Sequence, residues 1–254
     1  MVLLEVKDLS KTYWSGNQET QVLRNVNLRI EKGEFVSIMG PSGSGKSTLL
    51  YNISGLDRIT SGSVMLDGMN LADLSEDELA NVRLHKVGFI FQHIHLMKNL
   101  TILDNIVLSA YLAKKRNRKQ IHQKAKKLME ITGIAELVDH DITQVSGGQL
   151  QRAAICRSLI NDPDILFGDE PTGALNSHAA GEIMALLSEI NRSGMTILLV
   201  THDIKVAGRT ERVLFMLDGQ LVAEKRLEKY ENENADSRKE RENLLTDWLI
   251  NLGF

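Results

Sequence analysis

An α/β fold with a mainly parallel sheet at its core is predicted for this chain of 254 residues. Short apolar runs alternate with segments of helical periodicity, as strands and helices do in parallel sheets that are covered on both faces. The N-terminal segments alternate apolar and polar side chains, which is typical of a half-buried antiparallel layer. Residues from about 94 to 160 show helical spacing alone. We therefore expect a parallel sheet core, an antiparallel β-layer and an inserted helical subdomain.

The first elements predict the β-layer and then a core strand. Residues 3–6 and 22–30 are expected to form strands, with turn formers at residues 15–17 between them. Residues 34–39 form a compact apolar run that leads through a glycine-rich loop into a helix over residues 48–53. A glycine-rich loop that follows a strand and precedes a helix is in the context that favours phosphate binding.

The later elements alternate in the same way. Strands are predicted at residues 62–67, 87–91, 165–167, 196–200 and 213–217. Helices are predicted at residues 75–84, 150–159 and 177–190. Ser75 and Glu78 form a capping-box pair at the start of the first of these helices.

The C-terminal residues differ in composition from the rest. Residues 224–242 contain 7 acidic and 6 basic residues among 19, which indicates a solvated helix or a flexible tail. One face of a helix then carries Leu244, Leu245, Trp248, Leu249 and Leu252. This face either docks onto the body or binds a partner. The predicted division is a main domain over residues 1–223 and a charged tail over residues 224–254.

Composition excludes several classes of protein. The net charge of −3, from 30 Lys+Arg against 33 Asp+Glu, disfavours a general nucleic-acid binder. No apolar run approaches the ~20 residues that cross a bilayer, and the N-terminal residues lack the pattern of a secretory signal. The single cysteine, Cys156, favours a reducing, cytoplasmic compartment.

A complete G-x-x-x-x-G-K-S/T motif lies between the first core strand and its helix. It consists of Gly40, Pro41, Ser42, Gly43, Ser44, Gly45, Lys46 and Ser47, and Thr48 follows it. Its glycines let successive backbone N–H groups turn inward and form an anion nest at a helix N-terminus. Lys46 is expected to reach the β- and γ-phosphates, and the Ser47 hydroxyl to ligate Mg²⁺. The motif predicts binding of a nucleoside triphosphate.

Two adjacent carboxylates, Asp169 and Glu170, stand at the end of an apolar strand. Where the chain turns at a strand end, both side chains can address one site. We expect Asp169 to hold Mg²⁺, directly or through water, and Glu170 to orient or deprotonate the attacking water. A solvated loop start is the alternative, and the phosphate loop upstream favours the catalytic interpretation.

A second anion-binding surface is predicted just before the helix at residues 150–159. It follows Val145 and consists of Ser146, Gly147, Gly148 and Gln149. One nucleotide does not need two phosphate cradles in one subunit. The economical explanation is that each subunit lends this cradle to its neighbour, in a head-to-tail dimer with two ATP molecules between the subunits. A simple N-cap turn is the alternative.

Taken together, these motifs resemble those of the ATP-binding subunits of ATP-binding cassette (ABC) transporters, over roughly residues 3–223. The family signature usually reads LSGGQ, and here it reads VSGGQ. The resemblance implies an ABC-type P-loop NTPase fold, ATPase activity, and ATP and Mg²⁺ as cofactors, with the metal at Ser47, Gln92 and Asp169. It also implies that Tyr13 stacks on adenine, that Gln92 senses Mg²⁺ and the attacking water, and that His202 contacts the γ-phosphate.

One position departs from the family pattern. The family usually reads S-A-L-D after the carboxylates, whereas this chain has Gly173, Ala174, Leu175 and Asn176. Asn cannot carry the negative charge that helps to link the two ATP sites across the dimer. We expect this change to affect the rate or the coupling of hydrolysis and not the binding of nucleotide.

The helical stretch after Gln92 matches the subdomain that faces the membrane subunits in this family. Within it, residues 114–127 carry eight Lys or Arg and no acid, which indicates a solvated face or attraction to anionic lipid headgroups. Ile94, Leu96 and Met97 are candidates for a groove that receives a permease helix, or for core positions.

Further segments, at residues 55–57, 87–92 and 170–175, are similar to the branch that contains macrolide exporters, lipoprotein-releasing systems and bacitracin-type peptide-resistance transporters. The resemblance implies a subunit at the cytoplasmic face of the membrane that dimerises on two Mg-ATP and drives a separate permease. Its transport role would be export, extraction or peptide or drug resistance.

Two alternative functions remain open. One is a cassette ATPase that acts on nucleic acid or ribosomes, which the single cassette, the lack of long coiled coils and the net charge disfavour. The other is a regulatory subunit with weak turnover. Asn176 favours this regulatory hypothesis, whereas the presence of Glu170 and His202 disfavours it.

Overall fold

A computed structural model describes residues 1–229 and 235–254 of the chain. Within them, the strands β1 to β10 are Val2–Ser15, Gln18–Glu31, Phe35–Met39, Ser61–Leu66, Met69–Asn70, Val87–Ile90, Ile165–Asp169, Thr196–Val200, Arg212–Leu217 and Gln220–Arg226. The helices α1 to α8 are Lys46–Ile53, Glu76–Lys86, Ile102–Ala113, Arg118–Ile131, Gly147–Leu159, Ser177–Arg192, Ile204–Ala207 and Ala235–Asn251. The contacts group the chain into two units, the first made of Met1–Leu79 with Asn191–Phe254 and the second of Ala80–Ile190.

The first unit contains the predicted antiparallel layer. Its strands lie in the order β2-β1-β4-β5, and β1 pairs antiparallel with both β2 and β4. Side chains on one face of β1, such as Leu4, Val6 and Leu9, are buried. The prediction of two half-buried strands is confirmed, and both strands are longer than the alternation indicated.

The same unit holds a second sheet segment in the order β10-β9-β3-β8. Strand β3 lies between β9 and β8 and is parallel to both, while β10 is antiparallel to β9. Every residue of β3 and β8 is buried, as expected for parallel strands that are covered on both faces. The mainly parallel core is therefore confirmed in this unit.

The second unit combines a parallel strand pair with the helical subdomain. Strand β6 pairs with β7, and helices α3, α4 and α5 enclose a core that includes Ile106, Ile121, Met129 and Cys156. Burial raises the pKa of the Cys156 thiol to about 12, which makes this cysteine a packing residue and not a reactive one. The predicted helical insertion is confirmed.

The basic run of residues 114–127 covers the link after α3 and most of α4, and it is partly paired. Arg116 and Lys124 both form ion pairs with Asp162 of the same unit, whereas Lys114, Lys115, Arg118 and Lys119 are exposed. Asn117 caps α4 through a capping box with its third helical residue. The run is therefore a largely exposed basic surface, and Asp162 forms ion pairs with two of its residues.

The prediction of a solvated helix or flexible tail from residue 224 is wrong at its first residues. Strand β10 runs to Arg226, and Glu224 lies opposite Leu214 of β9. The sequence did not indicate the end of this strand because its last three residues, Glu224, Lys225 and Arg226, are charged, as is common on edge strands. Glu224 accepts hydrogen bonds from Arg212 and Arg226. Residues 230–234 of the predicted tail lie outside the described residues.

Helix α8 docks onto the first unit, which confirms the docked interpretation of the apolar C-terminal face. Leu245 and Leu249 are buried in a cluster with Met39, Ala207 and Phe215. Leu244 was assigned to the same face, but it is 45% exposed, because it lies about 100° around the helix axis from Leu245. No helix in the described part of the chain has both the length and the apolar character needed to span a bilayer.

Arg241 holds α8 in place, and we expect Arg241→Ala to destabilise the first unit. The guanidinium is buried and donates to Gly208 O at 2.6 Å, Glu228 O at 2.6 Å and Thr210 O at 2.7 Å. Removing it leaves these carbonyls without a charged donor, so the free energy of unfolding in urea should fall by about 3 kcal/mol. Lys239→Ala, at an exposed position of α8, is the control and should change it by less than about 0.5 kcal/mol. Equal losses in both variants would contradict the anchoring role.

Candidate functional site

The phosphate-loop motif forms a tight turn between β3 and α1. Gly45 caps α1 in a left-handed conformation, with a φ of 101°, and no side chain caps the helix there. The first N–H groups of α1 therefore point towards the loop, where an anion can bind them. Gly40 has a φ of 152°, and a Cβ at this position would lie 2.1 Å from Met216 O. Only glycine fits, because the loop passes directly against β9.

Lys46 reaches back across this loop. Its Nζ donates to Gly40 O at 2.9 Å and to Pro41 O at 2.7 Å, and the residue is 8% exposed. The Ser44 Oγ of the same loop is buried and is among the described oxygens without a hydrogen-bond partner. A buried unsatisfied hydroxyl in a native fold usually faces a water, an ion or a ligand. The loop thus brings one positive charge, a hydroxyl and a helix N-terminus to one place.

His202 lies at the same edge of the sheet as the phosphate loop. Strands β3 and β8 are parallel neighbours, and Thr201 N donates to Ile38 O at 3.1 Å. The chain then leaves β8 at His202, which is exposed, and enters α7, which Asp203 caps. The sequence prediction that His202 and the loop share one site is consistent with this register.

Tyr13 lies on β1 of the first unit and is 42% exposed. Its hydroxyl donates to Asp57 Oδ2 at 2.7 Å, and Lys11 Nζ lies 4.6 Å from the centre of its ring. The ring is therefore fixed in place and still has exposed surface, as a platform for a planar base requires.

In the second unit, Asp169 and Glu170 stand where β7 ends. Asp169 is the last residue of the strand and is 6% exposed. Glu170 has a φ of 44°, so the backbone turns between the two carboxylates as the sequence predicted. Gln92 Nε2 donates to Glu170 Oε2 at 3.3 Å. The two residues assigned to the attacking water are thus in contact.

Gly173 explains part of the departure from the family pattern. A Cβ at this position would lie 3.1 Å from Glu170 Oε2 and 3.2 Å from Gln92 Nε2. The Cβ of a serine would be in tight contact with both side chains, which would have to move by a few tenths of an ångström, whereas glycine makes no such contact. The sequence shows the change at residue 173 but not its proximity to Glu170 and Gln92, since that proximity depends on how the chain turns after β7.

The signature motif forms the N-terminus of α5. Ser146 Oγ accepts from Gln149 N at 3.3 Å, and Gln149 Oε1 accepts from Ser146 N at 2.8 Å. This is a capping box, so the N-cap alternative is part of the structure. A serine hydroxyl that accepts one hydrogen bond can also donate one. Capping α5 and donating to an anion are therefore compatible roles.

A pocket of about 730 Å³ opens in front of this helix end. Its lining includes the signature residues and also Arg152, Asn176, His178 and Glu182. Asn176 Oδ1 accepts from Ala179 N at 2.9 Å and so caps α6. Asn176 thus keeps the structural part of the role of an aspartate while adding no charge to the pocket.

The residues predicted to hold Mg²⁺ belong to both units. Ser47 lies in the first unit, and Gln92 and Asp169 lie in the second. Among residues 1–229 and 235–254, no group of three or more His, Cys, Asp or Glu side chains forms a metal cage. Mg²⁺ in nucleotide sites takes few protein ligands and keeps phosphate and water oxygens. The assignment of these three residues to Mg²⁺ stays a prediction.

Known proteins share both the sequence and the fold of this chain. The family model described as ABC transporter matches residues 23–173. The ABC transporter ATP-binding protein YvrO of Bacillus subtilis is 42% identical over 224 residues, which cover 88% of this chain and 97% of the relative. The ABC transporter ATP-binding protein MJ0796 of Methanocaldococcus jannaschii is 43% identical over 235 residues, or 91% of this chain and 100% of the relative.

A longer relative is matched over about a third of its length. The macrolide export ATP-binding/permease protein MacB of Escherichia coli is 45% identical over 222 residues, which cover 87% of this chain but 34% of MacB. Among solved structures, a dimeric post-hydrolysis state of MJ0796 bound to ADP and Pi matches with a TM-score of 0.83 at 40% identity. The match covers 90% of this chain and all of that one. These relatives confirm the fold and the branch that the motifs indicated, and the chain belongs to the ABC transporter family.

Proposed function

We propose that this chain is the ATP-binding and ATP-hydrolysing subunit of a bacterial-type ABC transporter. The observation that carries the proposal is the phosphate loop, where Lys46 Nζ bridges two backbone carbonyls beside a helix N-terminus that no side chain caps. A positive charge and several N–H donors around one small space are what a polyphosphate needs. Tyr13 would carry the adenine ring, and the loop residues 40–48 would bind the phosphates.

The donors assigned to Mg²⁺ fit that ion. Ser47, Gln92 and Asp169 offer a hydroxyl, an amide oxygen and a carboxylate, and hard cations prefer such oxygen ligands. When bound, the ion neutralises charge on the phosphate oxygens. Asp169 suits this role because it is a buried carboxylate at the end of a rigid strand.

Hydrolysis would depend on Glu170 and Gln92. The carboxylate of Glu170 accepts from Gln92 Nε2, so the amide can align the carboxylate towards a water that attacks the γ-phosphate. Lys46 stabilises the charge that develops on the phosphate oxygens, and His202 would donate to the γ-phosphate from the end of β8. Catalysis is then positioning and charge stabilisation, with no covalent intermediate.

The second nucleotide contact would come from another copy of the chain. Ser146, Gly147, Gly148 and Gln149 present a helix N-terminus and a hydroxyl at the mouth of the pocket described above. The solved MJ0796 cassette, which is 40% identical, is a dimer with ADP and Pi. By analogy, two copies would close on two Mg-ATP and reopen after hydrolysis.

The permease would be a separate chain at the membrane. This chain covers 34% of MacB, whose name joins ATP-binding and permease functions. We propose that the protein acts at the cytoplasmic face of the cell membrane, and that residues 94–160 of the cassette contact the permease there. Residues 1–223 are proposed as the cassette and residues 224–254 as the tail, although β10 crosses that boundary. Export, extraction, or peptide or drug resistance would be the outcome of transport.

One experiment separates transport from the other cassette functions. ATPase activity of the purified chain is measured alone, with single- and double-stranded DNA or ribosomes, and with the membrane protein that co-purifies from its own host. Stimulation by the membrane protein alone is expected. Stimulation by nucleic acid or ribosomes instead would overturn the transport assignment.

Asn176 is the observation that favours a subunit with slow turnover, and Asn176→Asp tests it. The carboxylate can accept from Ala179 N just as the amide does, and a negative charge at a helix N-terminus is favourable. We therefore expect α6 to persist, with ATPase activity per dimer raised or unchanged. Steady-state hydrolysis against protein concentration is the measurement.

Asn117→Asp is the matched control for this variant. Asn117 caps α4 through the same type of hydrogen bond, outside the signature pocket, so it makes the same charge change without touching the dimer site. A severe loss of activity in Asn176→Asp, with Asn117→Asp normal, would show that the amide at residue 176 has a specific role in catalysis.

A further inference from the structure

We propose that Asp57 is a positioning residue that holds the ring of Tyr13 in register with the phosphate loop and thereby sets the affinity for the base of the nucleotide. The inference rests on the proposed role of Tyr13 as the adenine platform. It goes beyond that role, because it assigns a function to a carboxylate that does not itself contact nucleotide.

The Asp57 carboxylate is shared by donors from two parts of the first unit. Its Oδ2 accepts from the Tyr13 hydroxyl at 2.7 Å. Its Oδ1 accepts from Lys11 Nζ at 2.9 Å and from Arg58 N at 2.8 Å. Asn52 Nδ2 approaches Oδ2 at 3.5 Å. One side chain therefore joins β1, which carries Tyr13, to the turn that follows α1.

Lys11 restricts the ring from a second direction. Its ammonium lies 4.6 Å from the ring centre of Tyr13, donates to Arg58 O at 2.6 Å, and belongs to a residue that is only 8% exposed. A buried ammonium needs hydrogen-bond partners to offset its lost hydration, and here they are the Asp57 carboxylate and the Arg58 carbonyl. The ring of Tyr13 is thus held at its edge by a hydrogen bond and beside its face by a cation.

The connection to α1 makes this arrangement relevant to nucleotide binding. Helix α1 begins at Lys46 in the phosphate loop and ends at Ile53, four residues before Asp57. The helix is a rigid spacer, so tethering Tyr13 to Asp57 fixes the distance between the base platform and the phosphate cradle. A nucleotide then binds to a preformed site and does not have to immobilise the tyrosine itself.

The ionisation states support a durable tether. Burial and the hydrogen bond to Asp57 raise the pKa of the Tyr13 hydroxyl to about 12. Burial alone acts to raise the pKa of Asp57, but the hydrogen bonds from Tyr13 and Lys11 lower it below its usual value. A neutral phenol facing an ionised carboxylate is a charge-assisted donor and acceptor pair at every pH near neutrality.

The test compares a nucleotide with a ligand that has no base. Equilibrium dissociation constants for ATP and for inorganic tripolyphosphate are measured by calorimetry on the full chain and its variants. Tyr13→Phe keeps the ring and the Lys11–Asp57 pair and removes the hydroxyl, with its hydrogen bonds to Asp57 and to Thr48. We expect it to weaken ATP binding by roughly 2- to 10-fold, the cost of immobilising one side chain, and to leave tripolyphosphate binding unchanged.

Variants at Asp57 complete a double-mutant cycle. Asp57→Ala should weaken ATP binding to a similar extent, Asp57→Asn should retain part of the affinity through its amide oxygen, and Tyr13→Phe combined with Asp57→Ala should be no worse than either alone. In the single Asp57 variants the hydrolysis rate at saturating ATP should stay that of the parent chain, so the effect appears in KM and not in kcat. Glu76→Gln, which alters the exposed partner of Arg58, is the control.

Each outcome decides one point. If Tyr13→Ala leaves ATP affinity unchanged, Tyr13 is not the adenine platform and the premise is wrong. If Tyr13→Ala weakens ATP binding but Tyr13→Phe does not, the platform stands and the positioning role of Asp57 is overturned. If the Asp57 variants also lose tripolyphosphate affinity while Tyr13→Phe does not, Asp57 supports the phosphate loop as a whole and the proposed base-specific role is overturned.

Discussion

Glu170→Gln is expected to lower ATP hydrolysis by at least about 100-fold, within the range that a positioned general base contributes. The substitution keeps the size of the side chain and leaves an oxygen that can accept from Gln92 Nε2, which lies 3.3 Å from the carboxylate. What is lost is the negative charge that orients and deprotonates water. Because ATP is then bound but not consumed, an ATP-bound dimer should accumulate.

Two measurements establish this result. Phosphate release gives the rate, and size-exclusion chromatography with Mg-ATP gives the fraction of dimer. Glu189→Gln makes the same change at an exposed position of α6 in the same unit, and it should hydrolyse ATP at the normal rate and remain monomeric under the same conditions. If Glu170→Gln also hydrolysed ATP normally, Glu170 could not be the base, and Gln92 or His202 would have to be tested in its place.

The strongest sequence patterns were those that local chemistry determines. The phosphate loop could be predicted residue by residue because each of its glycines has a positive φ, which other residues rarely adopt. The requirement is strict at Gly40, where a Cβ would lie 2.1 Å from Met216 O. The buried core strands could be predicted for a similar reason, since only strands covered on both faces are apolar throughout. Their edges moved by one or two residues, as helix and strand ends commonly do.

The missed features depend on contacts between distant residues. In the sequence Asp57 is visible only as the last residue of the segment at 55–57. Nothing near it reveals that the Tyr13 hydroxyl, 44 residues earlier, donates a hydrogen bond to it. The last three residues of β10, 224–226, were predicted as tail because an edge strand tolerates charge on its open side. The contact of Gly173 with Glu170 and Gln92 likewise exists only after the chain has turned at the end of β7.

Lys46→Met is expected to weaken ATP binding by at least about tenfold and to reduce hydrolysis below detection, because a phosphate clamp supplies charge stabilisation to both the bound and the transition state. Methionine keeps most of the aliphatic chain but removes the ammonium that bridges Gly40 O and Pro41 O at 2.9 and 2.7 Å. Adenosine, which lacks phosphates, should bind with unchanged affinity, since Tyr13 and not Lys46 is the proposed contact of the base.

The adenosine comparison separates loss of charge from loss of fold. Lys119→Met, at an exposed position of α4, is the control for the general effect of removing one positive charge and should bind ATP normally. Raising the salt concentration should narrow the difference between Lys46→Met and the parent chain, because screening weakens the attraction between the ammonium and the triphosphate. Normal ATP affinity in Lys46→Met would mean that the N–H groups at the start of α1 hold the phosphates by themselves. If adenosine affinity fell together with ATP affinity, the loop would instead depend on the Lys46 bridge for its conformation, and the two carbonyls would be the structural partners of the lysine.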